Sequence, residues 1–440
     1  MTETMPLSNA TAKEIYKENF VEYMLCLALD VGEAMLKNGG EVSRVEDTIE
    51  RICHAYGAAH VEVFTIISVI NAAVRMPDGS YSSQIRRIKS TGTNLGMLEK
   101  LNSLSRKICA TAPALEEFDS ELHKLKNSKF YAPVLIYLSS AAAAGGFACF
   151  FGGSLKDGLW AFIIGLMIHF IDRKAPQKVN VMAKTVCSSF IASVIAILAA
   201  SFGIADSPDY VIIGVIMLLV PGVAFGTAMR DLLYGDLLAG SLKILQAVLT
   251  ALMIAFGYMI STVLLEAFSV DIATSLPSAP DFTVFFKSQF FVSCIGAAVG
   301  SISFALLFKI SPKHLLLGTV CGVITYLIYY TIEFYTGGMV FPATFISTIF
   351  TALFSEICSR VRKAPTIVFL IPGVVPTVPG GALYRTMRFV LLKEWPSALD
   401  TFLVTMQVGL GIAGGILAVS IIYGAISTHI KRKKHEKSKI

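Results

Sequence analysis

Charge is scarce in this chain. Only 15% of its 440 residues are Asp, Glu, Lys or Arg, while 54% are hydrophobic, and the mean hydropathy is +0.66. Soluble domains carry about a quarter charged residues, so an ordinary soluble protein is excluded. Paired cysteines are missing too. The eight cysteines, Cys26, Cys53, Cys109, Cys149, Cys187, Cys294, Cys321 and Cys358, form no CxxC, and five lie in apolar segments where the thiol acts as a small hydrophobe. A secreted disulfide scaffold is therefore excluded, and neither a metal centre nor any other cofactor is expected. The opening MTETMPLSNATAKEIYKENF lacks the apolar core of a signal peptide, which predicts a cytoplasmic N-terminus. There is no GxxxxGK[ST], no GxSxG and no HExxH, so ATP-driven transport and the familiar hydrolytic sets are not expected of this chain. The net charge of +6 comes largely from the basic tail KRKKHEKSK, which removes the case for nucleic-acid binding.

What charge there is has an uneven distribution. Residues 1–130 hold 15 Lys+Arg and 17 Asp+Glu, whereas residues 131–440 hold 22 and 14. A polar front of about 130 residues is thus joined to a charge-poor body. In the front, 20–37 reads as an amphipathic helix stopped by Asn38-Gly39-Gly40. A second helix follows, with Val42, Val45, Ile49, Ile52, Cys53 and Tyr56 at three- and four-residue steps, ending at Gly57. From His60 the pattern turns β-rich, Pro77-Asp78-Gly79 makes a turn, and helical patterns return over 94–110 and 113–126. This predicts a cytoplasmic α+β domain over 1–130. Its charged helix face, Glu41, Arg44, Glu46 and Asp47, is a candidate contact for the membrane part or for substrate, with solvation and Asp47–Arg51 pairing as the ordinary alternative.

A bilayer core takes about 20 apolar residues as helix. On that measure ten spans are expected, at roughly 132–152, 157–172, 181–203, 210–228, 238–266, 286–308, 314–332, 339–358, 365–381 and 398–426. With a cytoplasmic start, 17 Lys+Arg fall on the inner side, counting the tail, and five on the outer, as the positive-inside rule requires. The acid- and proline-bearing linker 267–285 divides the spans into a first half, 131–266, and a second, 286–426, before the basic cytoplasmic tail 427–440. Five spans per half imply that a repeat would be inverted, a common transporter plan. The expected fold is a polytopic α-helical membrane protein with a 5+5 inverted repeat.

The internal signal that supports this division is a matched pair of proline-glycine segments. LLVPGVAFGTAMRDLLYGD occupies the fourth span and FLIPGVVPTVPGGALYR the ninth, placing Pro221-Gly222 and Pro372-Gly373 at the same point of each half. Proline removes a helix hydrogen bond and glycine permits close approach, so both spans are expected to break near mid-membrane. Such irregular backbone is tolerated only beside protein or a water-filled cavity. The candidate substrate pathway is therefore Pro221, Gly222, Arg230, Asp231, Asp236, Pro372, Gly373, Pro376, Pro379, Gly380 and Arg385. Paired packing kinks are the plainer alternative. An acid at membrane depth is costly, which makes Glu356 a proton-coupling candidate with Asp231, although Glu356 could instead pair with Arg360 one turn on.

These residues carry a resemblance. GGEVSRVEDTIERICHAYG with VEVFTIISVINAAVRMPDG resembles the N-terminal domain of the threonine/serine exporter family, PGVAFGTAMRDLLYGDLLAG resembles the end of its first membrane half, and IPGVVPTVPGGALYR resembles its smaller C-terminal partner. The likeness runs from about residue 20 to 426, with the two parts fused. It implies proton-driven export of small hydrophilic metabolites, threonine and serine in the named members and dicarboxylates such as succinate in split relatives. A membrane-anchored sensor or hydrolase acting through the front domain is the remaining alternative. The implied partners are a small-molecule substrate, protons and the lipid bilayer, with a homo-oligomer left open and no nucleic acid. The implied setting is the plasma membrane, with both termini cytoplasmic.

Overall fold

A computed structural model describes residues 19–128, 130–174, 179–220, 228, 231–232, 235–268 and 290–437, with side chains given as far as Tyr423. The chain falls into two compact units: residues up to Phe130 together with Asp231–Lys243, and Tyr131–Arg230 together with Ile244–Ile440.

The first unit is built on helix α1, Phe20–Lys37, whose start is fixed by Asn19 Oδ1 accepting from the backbone of Val21 and Glu22. The expected amphipathic helix has only a narrow polar stripe, Glu22, Asp30, Glu33 and Lys37. Tyr23 through Leu29 are all buried, so α1 is the spine of the unit rather than one wall. Helix α2, Val42–Ala55, packs on it by Val45 and Ile49 beside Gly32. Its buried face is the one its spacing predicts. Strands β1, His60–Ile66, β2, Val69–Arg75, and β3, Tyr81–Arg87, form an antiparallel meander with β2 central. Ile70, Ala72 and Val74 of β2 are buried, as alternation demands of a sheet with one covered face. Helices α3, Leu95–Thr111, and α4, Leu115–Lys126, complete the unit.

In the second unit, α5, Pro133–Phe150, is followed by α6, Leu155–Lys174, α7, Val181–Ser201, and the short α8, Pro208–Leu219. Helix α9, Leu237–Ala267, has its first seven residues in the first unit and the rest in the second. Then come α10, Phe290–Leu307, α11, Pro312–Tyr335, and α12, Val340–Arg362. Helix α13, Ile367–Val374, runs into a 3-10 turn, Val375–Thr377, before α14, Gly380–Leu391, and α15, Trp395–Lys437. Among the described residues seven of these helices (α5, α7, α9, α10, α11, α12 and α15) are long and apolar enough to cross a membrane, or eight when the bent α13–α14 pair is taken as one crossing. The expected ten also needs α6, whose two ends are charged, and the twelve-residue α8.

Small residues set the close packing of this unit. The stretch Ala141–Gly146 of α5 lets neighbours approach to backbone distance: a Cβ on Gly165 of α6 would lie 3.1 Å from Ser140 O, and one on Gly296 of α10 would lie 2.8 Å from Gly146 O. Where lipid removes the hydrophobic drive between helices, such contact supplies association through dispersion.

Candidate functional site

The site begins with a carboxylate that has no room to move. Asp157 of α6 is buried, and its Oδ1 accepts from the backbone of Asp206 and Ser207, each at 2.9 Å, while Oδ2 accepts from Ser154 at 2.9 Å. This ties the loop before α8 to the start of α6 and fixes Asp209 in the first turn of α8, next to Pro208 at the first helical position. Asp209 is 4% exposed. Tyr384 and Arg388, four residues apart on one face of α14, meet it there. The Arg388 guanidinium forms an ion pair with Asp209 Oδ2, and Tyr384 Oη donates to Asp209 Oδ1 at 2.5 Å. Tyr258 Oη of α9 lies 3.4 Å from Tyr384 Oη. A buried charge pair is expensive to form but far more expensive to break, because the survivor is left without compensation.

This pair is one wall of a cavity of ≈ 430 Å³, within the range of small-molecule sites. Other walls are Tyr326, Tyr329 and Glu333 of α11, Thr401 of α15, and the turn Pro376–Pro379. Helix α14 opens on the cavity with Gly381 and Ala382, so the positive end of its dipole lies beside the space. Arg385 lines it as well, its Nε donating to Gly381 O at 3.4 Å. Glu333 accepts from Tyr329 Oη at 3.2 Å, its one side-chain hydrogen bond among the described residues. Asp209 and Arg388 also border a smaller cavity of ≈ 110 Å³ with Glu266 and Thr262, so the pair partitions the two. The larger space thus presents one acid and one base that are not committed to each other, beside a neutralised pair.

Two models of the threonine/serine exporter family match the sequence, one over residues 26–265, more than half of the chain, and the other over 293–422. The chain belongs to the threonine/serine exporter family. The family is one of transporters, and the chain is a multi-pass membrane protein with its two family parts fused in one polypeptide. A threonine/serine exporter of Corynebacterium glutamicum is 24% identical over 408 residues, covering 89% of this chain and 80% of that protein. A protein of Mycobacterium tuberculosis named probable threonine/serine exporter is 22% identical over 418 residues, covering 91% and 78%. The pheromone-regulated membrane protein 10 of Kluyveromyces lactis is 21% identical over 369 residues, which is 77% of this chain and 37% of that one. No solved structure matches the chain.

Against this exporter-family sequence, the expected pathway residues separate into groups. Pro376, Pro379 and Arg385 line the large cavity. Pro372 and Gly373 do not interrupt the chain where expected: Pro372 lies inside α13, and the break falls at Val378 and Pro379, with a 44° bend between the two helical pieces. The physical reason is close packing. A Cβ on Gly318 of α11 would lie 2.8 Å from Pro372 Cγ, and one on Gly373 would lie 2.7 Å from Cys321 Sγ, so this proline-glycine seats α13 against α11. Gly380 packs against Met217 of α8. Pro221, Gly222 and Arg230 lie outside the described residues.

Most of the remaining candidates have local partners, whereas the buried Oδ2 of Asp236 accepts no hydrogen bond among the described residues. Asp231 is buried in the first unit, where Lys243 Nζ donates to it at 2.5 Å and the backbone of Val42 at 3.4 Å, so it caps α2, which has no side-chain cap of its own. Burial pushes the Asp231 carboxyl up despite the pull of Lys243, and it raises Asp236 likewise. Glu41 pairs with Arg44 at 3.4 Å, and Asp47 with Arg51 at 2.8 Å. Glu46 accepts the Thr65 N–H at 2.7 Å, and burial holds its carboxyl above the usual range. Glu356 accepts from Thr366 Oγ1 at 3.2 Å, while Arg360 lies 4.5 Å over the Tyr423 ring.

Sequence reasoning missed Asp209, Glu333, Tyr384 and Arg388. The first two sit one residue beyond expected span ends at 210 and 332, which made them loop acids. Arg388 was counted as an outer-side base because the ninth span was closed at 381, whereas α14 continues to Leu391. The signal that finds them is the pair of charges left over at the ends of matched spans in opposite halves.

Proposed function

We propose that this chain is a secondary exporter of threonine and serine at the plasma membrane, energised by the proton gradient, with ten crossings arranged as an inverted 5+5 repeat and both termini cytoplasmic. The observation that carries the substrate reading is the charge balance of the ≈ 430 Å³ cavity. Asp209 and Arg388 neutralise each other, which leaves Arg385 for a carboxylate and Glu333 for an ammonium, the two charges of an amino acid. The helix start at Gly381 adds attraction for the carboxylate, and Tyr329, Thr377 and Thr401 offer hydroxyls that suit a hydroxylated side chain. A dicarboxylate fits this balance poorly, because its second carboxylate would face Glu333 in a space of low dielectric.

Proteoliposomes containing the full chain and loaded with labelled serine test the reading. Under an inward proton gradient, serine efflux above empty-vesicle controls is expected, with unlabelled threonine competing and succinate failing to compete. Competition by succinate at concentrations that match threonine would transfer the assignment to dicarboxylates. Absence of flux with every gradient would defeat the exporter reading itself.

A further inference from the structure

Within the second unit, three acids of the cavity region are treated differently. Asp157 has three backbone donors. Asp209 has Arg388 and the Tyr384 hydroxyl. Glu333 has neither: among the described residues it has the single Tyr329 hydrogen bond and no ion pair, and it borders the open space. A carboxylate among membrane helices needs a compensating positive charge, since ionisation without one is costly in low dielectric.

Resting on the exporter reading above, we propose that Glu333 is the coupling residue, at which one proton and the substrate's ammonium replace each other. The exchange balances as follows. The protonated carboxyl loses its proton to the medium, the resulting carboxylate takes the ammonium of the entering amino acid, and the reverse step on the opposite side expels the amino acid as the proton returns. One positive charge occupies Glu333 at every stage, so neither partner crosses with the other. The direction follows from mass action. On the side of higher proton concentration the proton wins and substrate leaves; on the other side the proton leaves and substrate binds. The groups that face the same space from other elements are Asp209 and Tyr210 of α8, and Tyr384, Arg385 and Arg388 of α14; from α11 itself they are Tyr326, Tyr329 and Tyr330. Of the acids among them, Asp209 is held in its pair, which leaves Glu333 as the one that exchanges charge with the cavity. Tyr329 can donate to the ionised carboxylate or accept from the neutral acid, so it serves both states.

The test is the pH dependence of serine transport by the full chain in proteoliposomes. In the wild type, protons compete with substrate, so the apparent KM for serine rises roughly tenfold per unit as pH falls below the Glu333 pKa, with maximal rate retained. Glu333→Gln is expected to raise KM and to make it flat with pH, and to abolish the response of net efflux to an imposed pH gradient. Glu333→Asp, which keeps the carboxylate, is expected to restore both slopes. A Glu333→Gln variant that keeps the wild-type slope overturns the assignment. Should Glu333→Gln be inactive, Glu333→Asp decides: a restored pH-driven efflux supports the coupling role, and a failure to restore it overturns it. Wild-type chain that moves no serine at all strikes the exporter reading, and is separate from these outcomes.

Discussion

Removing Asp209 should expose how much of the second unit depends on one ion pair. Asp209 and Arg388 are both buried, with side-chain exposures of 6% and 5%. Asp209→Ala strands the guanidinium and also takes the acceptor from Tyr384, whose hydroxyl lies 2.5 Å from Oδ1. Breaking a buried pair from one side costs about 3–5 kcal/mol, and an orphaned buried hydroxyl adds about 1–3 kcal/mol. Asp209→Asn keeps an acceptor for Tyr384 and loses only the charge, so it is expected to fall at the lower end. The double change Asp209→Leu with Arg388→Met removes both charges at similar volume and is expected to recover most of the loss. The chain is suited to the measurement, because its two tryptophans, Trp160 and Trp395, both lie in the second unit. Trp160 sits near the site, with Nε1 donating to Ile204 O at 3.0 Å. Tryptophan fluorescence during heating in detergent therefore reports this unit. At about 2–4 °C per kcal/mol for a domain of this order of size, Asp209→Ala, losing about 4–8 kcal/mol, should melt roughly 8–32 °C lower, and Asp209→Asn, losing about 3 kcal/mol, roughly 6–12 °C lower. An Asp209→Asn variant that melts within a degree or two of wild type, or a double variant no more stable than the singles, would refute the reasoning.

Two further outcomes follow from other sites. Gly373→Ala places a methyl 2.5 Å from Thr351 Cγ2 and 2.7 Å from Cys321 Sγ, so a destabilisation of about 1–3 kcal/mol is expected from overpacking, and Thr351→Ser in the same chain should recover part of it; an unchanged fluorescence melt would rule out the packing role. In the first unit, burial raises the Glu46 carboxyl above its ordinary value, so the folded state holds the proton more tightly than the unfolded state and stability falls as pH rises from the ordinary carboxylate range through the raised value. Glu46→Gln keeps an acceptor for the Thr65 N–H but no longer titrates, so hydrogen exchange over β1, corrected for intrinsic rates, should lose part of its pH dependence; an identical pH profile in both proteins would remove Glu46 as the source.

Much of the architecture is legible in the sequence because it rests on local patterns. The buried face of α2 is given by the spacing of Val42, Val45, Ile49 and Ile52, and the turn at Pro77–Gly79 sits between β2 and β3. Helix α1 shows where pattern reading stops. Its few polar positions suggest one wet face, but neighbouring elements cover nearly all of it, and coverage is a tertiary property. The candidate site was legible only in part for a related reason. Proline and glycine announce an irregular segment, and Pro376 and Pro379 do border the cavity, yet the pattern does not say whether Pro372 bends a helix or seats it on Gly318. The charges at the site were harder still. Asp209 and Glu333 lie where an apolar run ends, and hydropathy assigns such positions to the outside. What brings Asp209 inward is a partner 179 residues further on, Arg388, which no local window contains.

The run of alanine and glycine along α5 has a mechanical corollary. Large interlocking side chains act as teeth, and moving one helix past another then requires many rotamers to change together. Where α6 and α8 meet α5 through Gly165 and Gly214, the atoms opposite are backbone and alanine methyls and the surfaces are nearly toothless, whereas α10 takes the Phe147 ring of α5 at Gly300. Sliding along such a track disturbs few side chains, which suits shear between packed helices. In that light α5 is a rail for its neighbours, and bulky substitutions on it would act as brakes on their relative motion before they acted on the fold.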